Sequence, residues 1–265
     1  MRRVLWLLFL PSVLLACQAQ AVSPHPIVTA TLRPTMTPPS PLTIVTLGDS
    51  LTWGDKDDEP GGGWPHRLRS LIAAQRPDSR MANLALPGWT SRDLLQGRDG
   101  APNQIDKAVR VLREVNGDKI ATVWIGANDL FYLYEFGEPT LAEEAREADR
   151  FERDLDELLD RLKSTGARVF LALLHDPSRG PVQTSGVFMS TTPEEWARMA
   201  QQAQRYNATI TAAAAKHAAT LVDIPATMIF STPALMFEDG IHPNARGYDE
   251  LTKVWWKALR DTVTR

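Results

Sequence analysis

Five short apolar runs punctuate the chain between residues 43 and 224, and stretches of helical periodicity separate them. The runs are Thr43–Leu47, Met81–Leu86, Ile120–Gly126, Arg168–Leu174 and Thr220–Ile224. Strands that are apolar throughout have both faces covered, and joining them through helices favours a parallel sheet with a helical layer on each side. Right-handed crossovers then bring every strand exit to one edge of the sheet. The expected architecture is therefore α/β, a three-layer αβα sandwich around a five-stranded parallel sheet. Residues that follow different strands can meet at that edge however far apart they lie in sequence.

The polar residues at these exits are specific. The first run ends Gly48-Asp49-Ser50-Leu51-Thr52, where Gly48 allows a sharp turn and Ser50 is presented at the edge. The second exit is Asn83-Leu84-Ala85-Leu86-Pro87-Gly88 and the third Gly126-Ala127-Asn128-Asp129. After the fifth run comes Asp239-Gly240-Ile241-His242-Pro243. A serine hydroxyl needs a base to become a nucleophile. Neutral imidazole can take that proton near pH 7 and return it to a leaving group, so His242 is the candidate base for Ser50. Asp239, three residues earlier in one compact turn, would hold the other ring N–H and stabilise the imidazolium.

In order and spacing these four motifs resemble the GDSL esterases and lipases in their SGNH hydrolase form, from about Thr43 to Gly247. The resemblance matches Ser50, Gly88, Asn128 and His242 to the four residues that give that family its name. It implies a flavodoxin-like sheet, hydrolysis of carboxylic esters through an acyl-enzyme, and no cofactor or metal. It also implies an oxyanion hole made by the backbone N–H groups of Ser50 and Gly88 and the side-chain amide of Asn128. Thioesters fit the same chemistry. A non-catalytic surface-binding lipoprotein is the competing class, and the completeness of the motifs argues against it. A nucleotide or flavin binder would need a phosphate-cradling glycine loop that the sequence lacks. An α/β-hydrolase is disfavoured because Ser50 follows Gly-Asp rather than sitting in Gly-X-Ser-X-Gly.

Several neighbouring residues have structural readings. Asp49 and Asp129 are expected to be loop and helix-cap acceptors, and Ser91 the cap of a short helix. The acidic run Asp55-Lys56-Asp57-Asp58-Glu59 reads as solvated loop, since it lacks the ligand spacing of a calcium site. The charged residues of a long helix over 141–163 read as its solvated face. Trp53, Trp89, Phe131 and His175 are candidates to line the substrate crevice, with Val187-Phe188-Met189 bordering it. Such a lining suits acyl or aryl groups and can equally serve as sugar platforms.

The N-terminus is organised differently. Arg2 and Arg3 precede an apolar run from Val4 to Leu15, too short to span a bilayer but suited to a signal-peptide core. It ends Leu14-Leu15-Ala16-Cys17, which resembles a bacterial lipobox; in such signals the cysteine is lipidated and becomes the mature N-terminus. Cleavage at Ala19-Gln20-Ala21 would instead release a soluble protein. The expected organisation is a lipoprotein signal peptide at 1–16, a lipidated Cys17 with a Pro/Thr-rich tether over 17–41, and a catalytic domain over 42–265. Extended polyproline in the tether would reach ~3 Å per residue from the membrane. Cys17 is the only cysteine, which excludes an internal disulfide. With 29 basic against 32 acidic residues and no basic run, nucleic acid is a poor partner. The expected partners are an ester substrate, lipid or glycan in nature, and the membrane, in an extracytoplasmic, envelope-anchored setting.

Overall fold

The structure, a computed structural model, describes residues 40–58, 62–135, 138–187 and 191–264. The described residues form one compact unit. The signal segment, Cys17, most of the tether and the Phe188-Met189 pair lie outside the described residues.

The five expected strands are present: β1 (Leu42–Gly48), β2 (Arg80–Asn83), β3 (Asp118–Trp124), β4 (Arg168–Ala172) and β5 (Thr220–Val222). They pair in parallel in the order β2-β1-β3-β4-β5. β1, β3 and β4 are the inner strands, and Leu42, Ile44, Val45 and Leu47 of β1 and Ile120, Ala121 and Val123 of β3 are fully buried. β2 stops three residues before the apolar run does, but Leu84 and Leu86 still donate N–H groups to Thr46 and Gly48 carbonyls. The second exit is thereby held alongside the first.

Helices α1 (Ser50–Trp53), α2 (Gly63–Gln75), α3 (Ser91–Gln96), α4 (Gln104–Arg113), α5 (Ala127–Glu135), α6 (Leu141–Lys163), α7 (Pro193–Lys216) and α8 (Ala245–Val263) cover the sheet. α2 packs on α8, where Trp64 stacks on Trp255 with ring centroids 4.3 Å apart. α6 packs on α7 and α4, with Phe151 stacked on Tyr206 at 4.4 Å. Right-handed crossovers that run outward in both directions from β1 require this division into two layers.

Sequence periodicity does not reveal α1 or α5. Four residues are too few to show a period, and although α5 buries Leu130, Phe131 and Tyr134 on one face, the outward Tyr132 and half-buried Leu133 are apolar too, so the sequence shows no polar contrast. Two expectations are corrected here. The cap of α3 is Thr90, which forms a reciprocal capping box with Asp93, whereas Ser91 turns inward to Asp129. The charges of α6 are not all solvated. Glu144 is buried where it accepts the Tyr134 hydroxyl at 2.6 Å and pairs with Arg198, and Asp154 is buried against Arg92 and Arg150.

The turn out of β1 is fixed by a residue with no sequence signature. The buried side-chain amide of Gln104, the first residue of α4, accepts the Gly48 N–H (3.0 Å) and donates to the Gly48 carbonyl (2.8 Å). The Gly48 carbonyl thus receives the Gln104 amide as well as the Leu86 N–H. Gly48 has no room for a side chain, since a Cβ would lie 2.3 Å from the Trp124 carbonyl oxygen.

Candidate active site

Ser50 is the first residue of α1, and Asp49 is its N-cap. The Asp49 carboxylate accepts the Leu51 N–H at 3.0 Å, as the sequence led us to expect for a cap. Behind the serine, Gly54 in the left-handed conformation closes the helix, and both Gly54 and Asp55 donate N–H groups to the Ser50 carbonyl. Asn83 ties this turn to the sheet: its side chain donates to the Thr52 carbonyl (3.1 Å) and accepts the Thr46 hydroxyl (2.9 Å). The serine thus sits on a helix turn anchored at both ends.

Asp239 and His242 occupy one tight turn before α8. Asp239 Oδ1 accepts the backbone N–H groups of Ile241 and His242, both at 2.9 Å, and Oδ2 lies 2.7 Å from His242 Nδ1. The Phe237 N–H donates to the His242 carbonyl at 2.8 Å, which closes the turn. A carboxylate only accepts, so Nδ1 carries the proton and Nε2 presents its lone pair. His242 Nε2 is 2.8 Å from Ser50 Oγ, joining residues 192 positions apart. Burial pushes the Asp239 carboxyl upward, but the bonds from the His242 ring and from the His242 and Ile241 N–H groups outweigh it and hold the carboxyl below its ordinary range.

Gly88 lies on the loop after β2 and Asn128 in the first turn of α5. Gly48 at the end of β1 is paired with Trp124, four residues before Asn128. Asn128 Nδ2 donates to the Trp89 carbonyl at 3.0 Å. That bond uses one of its two amide hydrogens. The preceding carbonyl, that of Gly88, accepts from Arg98 Nη1 (2.7 Å) and from the Tyr132 hydroxyl (2.9 Å). Three side chains therefore hold two consecutive carbonyls of this loop and fix its orientation. Gly88 has a φ of +74°, and a Cβ there would press on Arg98 and Tyr132 at 3.1 Å.

The four aromatic residues expected near the crevice differ in exposure. Trp53 is 47% exposed, while Trp89 and Phe131 are buried in the main core cluster. The half-buried His175 ring stacks on Phe230 at 3.7 Å, and its Nδ1 is buried without a hydrogen-bond partner. Burial pushes His175 down to about 4, so it is a neutral imidazole at physiological pH. Of the bordering segment, Val187 is exposed.

Sequence reasoning missed the parts played by Gln104, Arg98 and Tyr132. The acidic run is solvated at Lys56 and Asp58, as expected, but the Asp57 side chain is buried against Arg67 and Asp55 lies beside His242. Asp129 departs from its expected role as a cap. It accepts the Ser91 hydroxyl (2.5 Å) and N–H (2.9 Å) and faces Arg150 at 3.6 Å. Burial raises its carboxyl to about 6, with the Ser91 bonds and Arg150 restraining the rise.

Asp49 is raised further, to about 7, chiefly by burial, with the Leu51 N–H and the nearby His242 opposing. A carboxyl that titrates near 7 when folded and near 3.8 when unfolded binds its proton more tightly in the folded state. Its contribution therefore favours folding at acid pH and is lost as pH rises from about 4 to 7. Asp49→Asn keeps a cap acceptor and removes the titration. Its melting temperature relative to wild type is expected to rise as the pH is raised from 4 to 8; a difference that stays flat over this range would contradict the assignment.

A family model for the GDSL-like Lipase/Acylhydrolase family matches residues 46–250. No curated protein matches the sequence. Among solved structures the chain is similar to TesA, with 19% identity and a TM-score of 0.58 over 83% of this chain and 98% of that one. It is likewise similar to the psychrotrophic esterase EstA from Pseudoalteromonas sp., with 17% identity and a TM-score of 0.58 over 84% and 99%. Axe2, an acetylxylan esterase from Geobacillus stearothermophilus, gives 20% identity and a TM-score of 0.58 over 84% and 96%. At these identities the likeness concerns the fold, and the family rests on the match over 46–250. The chain belongs to the GDSL-like lipase/acylhydrolase family and is a serine ester hydrolase of SGNH fold.

Proposed function

We propose that the chain hydrolyses carboxylic esters through an acyl-enzyme on Ser50, with His242 as general base and acid and Asp239 as its partner. The observation that carries this reading is the unbroken chain Asp239 Oδ2, His242 Nδ1, His242 Nε2, Ser50 Oγ, at 2.7 and 2.8 Å. In the first half-reaction Nε2 takes the Ser50 proton as Oγ bonds to the carbonyl carbon. The carbonyl oxygen becomes an oxyanion, received by the N–H groups of Ser50 and Gly88 and the free amide hydrogen of Asn128. The imidazolium, stabilised by Asp239, then gives its proton to the departing alcohol. Water repeats the sequence on the acyl-enzyme and regenerates the serine. Each preset donor in such a hole lowers the barrier by ~3 kcal/mol.

The substrate class we assign is an acyl ester of a lipid or an envelope glycan, lysophospholipids and short acyl or acetyl esters included. Trp53, exposed three residues after Ser50 at the end of α1, supports an apolar or sugar-stacking contact. Thioesters remain a secondary substrate for the same site. p-Nitrophenyl esters from acetyl to long acyl, assayed on residues 42–265, test the reading. Ser50→Ala is expected to lower kcat on the order of 10⁴-fold or more, and Asn128→Ala roughly 10²- to 10³-fold. The profile across chain lengths separates an acetyl esterase from a lipase-like enzyme. Wild type no faster than Ser50→Ala on every ester and thioester would favour the non-catalytic, surface-binding reading.

We also propose that residues 1–16 are a lipoprotein signal and that lipidated Cys17 anchors the enzyme to the outer face of a membrane, with 18–41 as its tether. The motif Leu14-Leu15-Ala16-Cys17 carries this part. Cells that express the full sequence and are fed labelled palmitate should yield labelled protein beginning at Cys17, and Cys17→Ser should abolish the label. Unlabelled wild type beginning at Val22, after cleavage at Ala21, would support a secreted soluble form instead.

A further inference from the structure

We infer that Asp55 sets the charge preference of the site for the alcohol part of its ester, favouring cationic over anionic leaving groups. The inference rests on the esterase reading above and adds a substrate property to it. Asp55 Oδ2 lies 3.9 Å from His242 Nε2, the side of the ring opposite Asp239. This places the imidazole between two carboxylates, one at each nitrogen.

Asp55 is held in this position from three directions. Its N–H donates to the Ser50 carbonyl at 3.1 Å, and its own carbonyl accepts the hydroxyl of the buried Tyr248 at 2.8 Å. Oδ1 takes the Lys56 N–H at 3.0 Å and lies 3.6 Å from the Lys56 ammonium, which leans over the Phe237 ring. Oδ2 is the oxygen turned to the reacting nitrogen.

Nε2 must reach the departing oxygen to protonate it, so the alcohol leaves within hydrogen-bond distance of the ring edge that Asp55 faces. A charge two or three bonds from that oxygen then lies within several ångströms of the carboxylate. At that range, and with a third of the Asp55 side chain exposed, the interaction is attenuated by solvent but still several-fold in rate. An ammonium is drawn in and a sulfonate or phosphate is repelled. Lys56 works against this preference from the far side of Asp55.

The test compares three esters that share one acyl group and differ only in charge: the ester of choline, its neutral isostere 3,3-dimethylbutanol, and 2-hydroxyethanesulfonate. Dividing each kcat/KM by that of the neutral ester removes general damage to the site. Wild type is expected to prefer the choline ester over the sulfonate by about fivefold or more. Asp55→Asn, which keeps the backbone bonds and leaves Lys56 unpaired, should erase or invert the preference, while Lys56→Gln should increase it. A wild-type ratio within twofold of unity, or a ratio unchanged in Asp55→Asn, overturns the inference while leaving ester hydrolysis intact. Absence of any turnover dependent on Ser50 overturns the esterase reading itself, and this one with it.

Discussion

Parallel pairing makes the site possible. Strands that all run one way end on one edge, and in this chain the exits of β1, β2 and β3 and the loop after β5 carry the serine, the glycine, the asparagine and the Asp-His turn. The hydrogen bond between Ser50 and His242 joins residues 192 positions apart because the loops that bear them leave the sheet at the same edge. The sheet supplies proximity, and the loops supply orientation. Gln104 locks Gly48, Asp49 caps the turn that bears Ser50, and Arg98, Tyr132 and Asn128 hold the Gly88-Trp89 carbonyls.

These local anchors share a form: a side-chain group bonds a backbone group at a strand exit or a helix start. A buried carbonyl or N–H without a partner costs ~1–3 kcal/mol, so the turn at Gly48 depends on the Gln104 amide as much as on the flexibility of glycine. Buried carboxylates are the less economical part of the arrangement. Asp49 and Asp129 are both driven upward by burial, and each is kept useful by N–H or O–H donors aimed at it. Asp239 shows the opposite balance, because three donors from its own turn outweigh its partial burial. Asp49 and Asp129 therefore differ from Asp239 in charge behaviour through their donors and their depth.

Much of this was legible before any coordinates. Apolar runs located the five strands to within a few residues, and motif order pointed to Ser50, Gly88, Asn128, Asp239 and His242. The residues that escaped are those whose role depends on a partner distant in sequence. Gln104 looks like any polar residue near a helix start; only folding puts it against Gly48, 56 positions away. Ser91 satisfied the local rule for a cap, but Thr90 took that place and Asp129 claimed the Ser91 hydroxyl. Asp55 and Asp57 sat in a run of charge that reads as solvent-facing, whereas Arg67 and His242 draw them inward. The aromatic cluster after Asn128 concealed α5, since its outward residues Tyr132 and Leu133 are as apolar as the buried Leu130, Phe131 and Tyr134 and leave no contrast between faces. Local propensity and periodicity describe elements; they do not describe which elements touch.

The central claim is that Ser50 is the nucleophile, and covalent labelling tests it most directly. A fluorophosphonate probe reacts with a serine only where a base activates it and donors stabilise the anionic adduct. The protein treated with such a probe, digested and mapped by mass spectrometry, should carry a single adduct on Ser50, and His242→Ala should lose it without unfolding. An adduct on another residue, or none on protein shown to be folded, would contradict the account.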